Sequence, residues 1–256
     1  MRFGAAIATS RPPLDALRTG YSLNPLATPT PTGSGGDPTL KPFMSNQLDL
    51  DYEWYFHDES LFSAAVFYKH IGTFIGIASS QQVINGTTYT ISSPANGKGG
   101  DVQGMELTFQ SRFFFLPNFF SDFGVYANYS LVNSNIKEFT PQFAPYTMGG
   151  LAKNTAEADL FYDVGAFEAR LAWKYHSAFT TIPGWNGGQL FGIAPERTLD
   201  FSTSYQWNEN IGLRFQVANL TNEPTRQSTD NDVNDLAQPG YLVFGRRFLI
   251  DISYKD

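Results

Sequence analysis

Carboxylates recur at every second position of several segments, and such runs could form an active site or bind a cation. Asp49, Asp51 and Glu53 alternate along one segment, and Glu157 and Asp159 along another. The alternative is that these mixed charges face a hydrated interior and have no catalytic or cation-binding role. The full alternating series is Asp49, Asp51, Glu53, Glu106, Glu157, Asp159, Glu168, Arg170, Lys174, Asp200 and Arg214.

The residue types that usually support catalysis or metal binding are scarce. His57, His70 and His176 have no spaced partner for a metal site or a catalytic triad. The chain has no cysteine, which excludes thiolate metal ligands, cysteine nucleophiles and disulfides. We therefore predict that the protein is not an enzyme and has no catalytic residue, metal or cofactor.

Aromatic and amide side chains in irregular segments are better candidates for ligand contact. Trp185 stands beside Asn186 and near Gln189 in a glycine-rich run, an arrangement that suits an indole stacked on an oligosaccharide with amides donating hydrogen bonds. Tyr89 and Tyr146 offer similar surfaces. The alternative is that these aromatic residues only pack the loops together.

Most of the chain alternates apolar and polar residues with a period of two, which indicates β-strands that are apolar on one face. No segment of comparable length keeps a helical period, and no apolar run reaches the ~18 residues of a membrane helix. The pattern predicts ten strands: Arg2–Thr9, Gln47–Phe56, Leu61–Ile71, Met105–Gln110, Phe123–Leu131, Thr155–Tyr162, Phe167–His176, Leu199–Trp207, Ile211–Asn219 and Phe248–Lys255.

The connections between these strands alternate in length. Short turns are predicted at His57–Ser60, Leu116–Asn118, Asp163–Ala166 and Asn208–Asn210. The other connections, Gly72–Gly100 among them, are long loops. Short turns on one rim and long loops on the other are typical of outer-membrane barrels. The fold class predicted is therefore all-β, an antiparallel transmembrane β-barrel; a soluble antiparallel sheet is the alternative.

Aromatic residues support this interpretation because they collect near the rim with the short turns, as an interfacial girdle requires. The residues of this predicted girdle are Trp54, Tyr55, Phe56, Phe113, Phe114, Phe115, Phe119, Phe120, Tyr162, Phe167, Trp207 and Tyr254.

The formal net charge of −7 argues against a nucleic-acid partner.

Five runs, in order along the chain, resemble the C-terminal barrel of TonB-dependent outer-membrane receptors. Arg11-Pro12 is similar to the "R-P" that follows a strand in this family. The other four runs are Gly36–Phe43 (G-D-P-T-L-K-P-F), Phe67–Ile75 (F-Y-K-H-I-G-T-F-I), Asn219–Glu223 (N-L-T-N-E) and Gly245–Lys255, which resembles the closing strand.

The resemblance implies a receptor that imports a scarce nutrient, of the oligosaccharide or siderophore class, across the outer membrane of a Gram-negative bacterium. Such barrels have 22 strands around an N-terminal plug that contacts the TonB complex. Residues 1–256 would then be the C-terminal part of the barrel, with the plug absent. The implied partners are outer-membrane lipid, the missing N-terminal strands and plug, TonB through that plug, and a small-molecule nutrient.

Two further alternatives remain open at the level of sequence. The chain could be a self-contained small outer-membrane barrel, either a pore or an adhesin, if Arg2–Thr9 pairs with the last strand. It could also be a soluble sugar-binding β-protein. Closure between the first and last strands distinguishes the small barrel from the partial barrel.

Overall fold

The computed structural model describes residues 1–140, 143–181, 192–228 and 240–255. Within them are the short 3₁₀ helices Leu14–Leu17 and Asn118–Asp122, and no helix is long and apolar enough to cross a membrane. The strands are Arg2–Ser10 (β1), Tyr21–Asn24 (β2), Thr32–Gly35 (β3), Phe43–His57 (β4), Ser60–Ile84 (β5), Thr87–Arg112 (β6), Phe123–Ser134 (β7), Lys137–Thr140 (β8), Phe143–Thr147 (β9), Asn154–Val164 (β10), Phe167–His176 (β11), Phe179–Thr180 (β12), Gly192–Ile193 (β13), Glu196–Gln206 (β14), Ile211–Ala218 (β15), Thr225–Ser228 (β16), Gly240–Leu242 (β17) and Arg247–Tyr254 (β18).

Ten of these strands form one antiparallel sheet in which each strand pairs with the next long strand of the chain. The order is β1-β4-β5-β6-β7-β10-β11-β14-β15-β18. These ten strands coincide with the ten that the alternation predicts, so the antiparallel prediction is confirmed. The remaining strands belong to the connections on the rim with the long loops.

The register keeps the two faces of the sheet separate across all ten strands. Leu50 pairs with Val66, which pairs with Met105, which pairs with Leu131, so apolar residues continue along one face. This face is called the outward face below, and the opposite face, which carries the predicted charged series, the inward face. Asp51 belongs to the inward face.

Three of the four predicted short turns connect neighbouring strands tightly. Two residues, Asp58-Glu59, join β4 to β5, and Gly165-Ala166 join β10 to β11. Glu59 and Gly165 have φ angles of 54° and 58°. The fourth connection is longer than predicted, because Phe113–Pro117 and the 3₁₀ helix Asn118–Asp122 separate β6 from β7.

The prediction of a long irregular loop at Gly72–Gly100 is wrong. Strands β5 and β6 pair along almost their whole length, from Leu61 opposite Gln110 to Ile84 opposite Thr87. The connecting residues Asn85 and Gly86 have φ angles of 52° and 79°, as a type I′ hairpin turn requires. The hairpin therefore extends well beyond the segment that the other strands span.

The ends of the sheet are open. In the described residues β1 pairs with β4, β18 pairs with β15, and the two end strands do not pair with each other. Every residue of both end strands is exposed. The structure is thus a partial, unclosed barrel, and the alternative of a self-contained small barrel is not favoured.

Buried apolar side chains in the described residues lie mainly beneath the loops, because both faces of the sheet are open. The hairpin β2–β3 packs on the β6 extension, where β3 pairs in parallel with β6. Ile91 and Ile136 are 0% and 1% exposed. A Cβ at Gly33 would lie 2.6 Å from Cδ1 of Ile91, so a glycine is needed for this close approach.

Candidate functional site: the inward face and the loop rim

The predicted charged series lies on the inward face, where several members form ion pairs across strands. Nη2 of Arg2 lies 2.6 Å from Oε1 of Glu53, and Nζ of Lys174 lies 3.4 Å from Oδ2 of Asp200. Nε of Arg170 donates to Oδ2 of Asp159 at 2.9 Å. These ion pairs connect neighbouring strands on the inward face, and Oδ1 of the buried Asp159 accepts no hydrogen bond from the described residues.

Arg112 joins three parts of the inward face near the short turns. It pairs with Glu59 in the β4–β5 turn, and its Nη2 donates to Oδ2 of Asp163 on β10 at 3.0 Å. Its guanidinium lies 6.0 Å from the ring centre of Phe161. That ring covers Gly124 of β7, where a Cβ would overlap it. The glycine thus allows a bridge from β6 to β10 across β7.

A polar cavity of about 310 Å³ lies on the inward face of β10, β11, β14 and β15. Arg170 and Arg214 line it with Glu168, Ser204 and Gln216. Its position on the charged face makes it part of the surface that a barrel would present to solvent or to a plug. In the described residues, no group of three or more His, Cys, Asp or Glu side chains could hold a metal ion.

The run Gly36–Phe43 fixes the first long loop against the β6 extension. The backbone N–H of Asp37 donates to the carbonyl of Ala16 at 2.7 Å, and a Cβ at Gly36 would lie 2.6 Å from the same carbonyl oxygen. The amide of Asn96 accepts from the N–H of Lys41 at 2.8 Å and donates to its carbonyl at 3.1 Å. The motif therefore positions a loop.

The run Asn219–Glu223 closes a turn at the loop end of β15. The Asn219 side chain accepts from the N–H of Glu223 at 2.7 Å and donates to its carbonyl at 2.9 Å. The N–H of Asn219 donates to Oδ1 of Asp200 at 2.8 Å. Asn219 and Asn222 have φ angles of 55° and 57°, which asparagine tolerates better than most residues. This motif, too, shapes the rim.

The predicted ligand-contact residues are only partly within the described structure. Tyr89 lies in the β6 extension with 8% of its surface exposed, so little of its ring is accessible. Tyr146 lies in β9, whose backbone is described. Trp185, Asn186 and Gln189 lie outside the described residues. The flanking strands β12 and β13 pair with each other, and β13 pairs with β16.

Part of the predicted aromatic girdle forms separate groups of ring contacts near the short turns, whereas Tyr55 donates a hydrogen bond to Glu53 of the inward series at 2.9 Å. Ring centres of Trp54 and Phe56 are 5.3 Å apart, and those of Phe56 and Phe109 are 6.0 Å apart. Farther along the sheet, Phe123 and Tyr162 are 4.7 Å apart. These contacts place amphipathic and apolar rings at one level across the sheet, as a membrane interface favours.

At the other end of the outward apolar band, four side chains form a cluster that sequence reasoning missed. Tyr68, His70, Asp101 and Asn135 constitute this cluster, called the polar cap below. Oδ1 of Asp101 accepts from Oη of Tyr68 at 2.6 Å and lies 2.8 Å from Nδ1 of His70. Nδ2 of Asn135 donates to Oδ2 at 3.1 Å. His70 is therefore not solitary.

The hydrogen bonds of the polar cap stabilise the ionised carboxylate. Asp101 lies four residues, or two outward-facing pairs, beyond Met105, the last residue of the apolar band on β6, and so outside the apolar segment. Hydrogen bonds from Tyr68, His70 and Asn135 lower the pKa of Asp101 to about 2. In the sequence, the polar cap is indicated only by an interruption of the apolar series. The four residues come together only through the pairing register of the strands.

Solved structures of siderophore receptors and of a copper transporter share this fold. The PirA siderophore receptor from Acinetobacter baumannii matches with 15% identity and a TM-score of 0.67, over 98% of this chain and 38% of that one. A ferric enterobactin receptor mutant from Pseudomonas aeruginosa, in complex with enterobactin, matches with 14% identity and a TM-score of 0.69, over 98% and 38%. The copper transporter OprC matches with 15% identity and a TM-score of 0.64, over 98% and 36%.

The chain spans just over a third of the length of each of these three structures. No curated protein matches the sequence. The profile of the family described as "TonB dependent receptor-like, beta-barrel" matches residues 1–220, most of the chain. The protein therefore belongs to the TonB-dependent receptor β-barrel family.

Proposed function

We propose that residues 1–256 form the C-terminal part of the barrel of a TonB-dependent outer-membrane receptor that takes up a scarce nutrient. The observation that carries this proposal is the match of the family profile to residues 1–220, which contain nine of the ten strands of the antiparallel sheet. Family members are transport receptors, so the inward carboxylates serve solvation and ion pairing, not catalysis.

The open edges of the sheet define the partners that this function requires. Unpaired N–H and C=O groups in hydrocarbon cost several kcal/mol each, so β1 and β18 must find neighbouring strands in the membrane. We assign these positions to the N-terminal strands of the same barrel. The inward face would surround a plug, and contact with the TonB complex would run through that plug alone.

The outward face supports the proposed location. Barrels of this family are outer-membrane proteins of Gram-negative bacteria, and an apolar band with aromatic rings at its border suits that membrane. Outer-membrane lipid is therefore the proposed partner of the outward face. The net charge of −7 gives no support to a nucleic-acid partner.

The nutrient is an oligosaccharide or a siderophore. The names of the PirA and ferric enterobactin receptors favour a siderophore, whereas Trp185 beside Asn186 suits a sugar face. Contact residues are proposed at Tyr89, Tyr146, Trp185, Asn186 and Gln189. Because Tyr89 is 8% exposed, we expect it to contribute less than the others.

Uptake in a strain lacking the chromosomal gene tests the function. The strain is complemented with the wild-type gene, with W185A or with the control Y55A, since Tyr55 lies near the opposite rim and is 69% exposed. Energy-dependent uptake is measured with radiolabelled ferric enterobactin and with a labelled maltooligosaccharide. We expect one probe to be accumulated, about tenfold less of it with W185A, and no change with Y55A.

Each other outcome contradicts part of the proposal. If neither probe is accumulated above the level in the deletion strain, the proposal that the protein takes up these nutrient classes is wrong. If W185A and Y55A behave alike, the assignment of the Trp185 segment to ligand binding is wrong, although uptake itself would stand.

A further inference from the structure

The outward face carries a groove next to the polar cap, and Tyr68 belongs to both. The groove has a volume of about 450 Å³, within the range of small-ligand sites. Leu48, Leu50, Val66, Met105 and Leu131 of the apolar series line it. Tyr68 lines it as well, and its hydroxyl donates to Asp101 in the cap.

The register explains why groove and cap meet. Val66 pairs with Met105, and in the next outward pair Tyr68 lies opposite Gln103. One further pair along, His70 lies opposite Asp101. The outward face therefore changes from apolar to polar within two pairs, the level at which a bilayer passes from acyl chains to headgroups.

Groove and cap are accessible from the outward side. Val66 is 50% exposed and Tyr68 is 38% exposed. The side chains of His70 and Asp101 are 53% and 34% exposed. A ligand could therefore contact apolar side chains and the cap at the same time.

The chemistry of the cap selects the kind of headgroup. It contains one carboxylate, one amide, one imidazole and one phenol, and neither lysine nor arginine. A carboxylate accepts hydrogen bonds from hydroxyl groups and repels phosphate, whereas an asparagine amide both donates and accepts. Sugar hydroxyls fit this set better than an anionic phosphate does.

We propose that the groove and the polar cap together bind a membrane lipid with a saccharide headgroup. The acyl chain lies in the groove. Sugar hydroxyls donate to Oδ2 of Asp101, which accepts one hydrogen bond within the cap, and accept from the second N–H of the Asn135 amide, whose oxygen already accepts from the backbone N–H of Asp101 at 2.7 Å. This inference rests on the proposed function, because it requires the outward face to contact lipid.

Lipid binding by the full chain tests the proposal by native mass spectrometry of the detergent-solubilised protein. Two probes with the same acyl chains are titrated: a diacyl glycolipid with an uncharged disaccharide headgroup, and phosphatidylglycerol. We expect the glycolipid to bind the wild type at least tenfold more tightly than phosphatidylglycerol does. Equal affinities for the two probes would overturn the assignment of the headgroup.

Three variants separate the parts of the site. L131W fills the groove and should weaken glycolipid binding about tenfold, whereas L171W makes the same change on a distant outward strand and should have no effect. D101A should reduce the preference for the glycolipid over phosphatidylglycerol about tenfold. The groove is ruled out if L131W and L171W bind alike, and the cap is ruled out if D101A keeps the full preference. Circular dichroism of each variant checks that the sheet is retained.

A second measurement separates failure of this inference from failure of the proposed function. Trp54 and Trp173 lie on the outward face, so brominated phospholipid in vesicles should quench their fluorescence. Absence of quenching would contradict membrane contact altogether. Quenching without lipid selectivity would contradict the lipid site alone.

Discussion

The outward face ends differently in its two halves at the border nearest the long loops. On β5 and β6 the apolar series gives way to the polar cap, with its carboxylate at Asp101. On β11 and β14 it ends in aromatic rings and a cation. The planes of Trp173 and Tyr175 are 3° apart, and the guanidinium of Arg197 lies 5.3 Å from the ring centre of Tyr175.

The difference shows that the apolar band and its border are encoded separately. The band needs only apolar residues at every second position, and both halves supply them. The border depends on which side chains the register aligns in the last outward pairs. Arg197 over Tyr175 is a general interfacial anchor, because a cation and amphipathic rings suit any headgroup region. The polar cap, with hydrogen bonds converging on one carboxylate, is suited to a particular ligand.

A charge placed in the middle of the band tests whether the two halves are equivalent there. Leu107 and Leu171 are 36% and 37% exposed and lie on the outward face of β6 and β11. We expect L107R and L171R each to lower the free energy of unfolding in vesicles by about 2–4 kcal/mol, because arginine at the bilayer midplane is costly. Urea titration followed by tryptophan fluorescence measures the change.

The neighbouring inward residue provides the control for this prediction. T108R puts the same side chain on the same strand facing the hydrated interior, and its effect should be much smaller. If T108R destabilises the protein as much as L107R, the assignment of faces is wrong. If L107R and L171R differ widely, the halves differ in the band as well as at the border.

The ten strands could be predicted because a period of two is a local property of the sequence. The turn at Asn85-Gly86 was also locally encoded, since Asn-Gly between β-branched residues is a strong hairpin signal. The long-loop prediction failed there because the glycine-rich run Gly97–Gly100 suggested irregular structure. In the structure Gly97 and Gly100 instead pair with Phe74 and Ile71.

The polar cap and the inward bridges could not be predicted from local patterns. His70 and Asp101 are 31 residues apart, and they become neighbours only through the register of β5 and β6. Gly124 appears in the sequence as one small residue in a strand, yet the ring of Phe161 from β10 covers it. The motifs Gly36–Phe43 and Asn219–Glu223 identified the family, and their hydrogen bonds shape the loop rim.

Arg197 offers a test of the anchoring half of the border. R197A removes the cation from the ring of Tyr175 and should lower the free energy of unfolding in vesicles by about 0.5–1 kcal/mol. R197K keeps the charge and should lose less, and Y175F keeps the ring and should change little. A loss with R197K as large as with R197A would show that the planar guanidinium matters more than its charge.

The smallest expected effect concerns the polar cap and depends on pH. Hydrogen bonds lower the pKa of Asp101 from its ordinary value of 3.8 to about 2, so the folded protein releases this proton more readily than the unfolded chain does. The resulting stabilisation is fully present above about pH 4 and is lost as the pH falls through 2.

Denaturation midpoints between pH 5 and pH 2 should therefore decline less steeply in D101N than in the wild type. D251N, which alters a carboxylate on the inward face of β18, is the matched control for the removal of one carboxylate. Identical slopes for D101N and the wild type would mean that the hydrogen bonds of the cap do not favour the ionised carboxylate. The chemical contrast between the two halves of the border would then be weaker than the structure indicates.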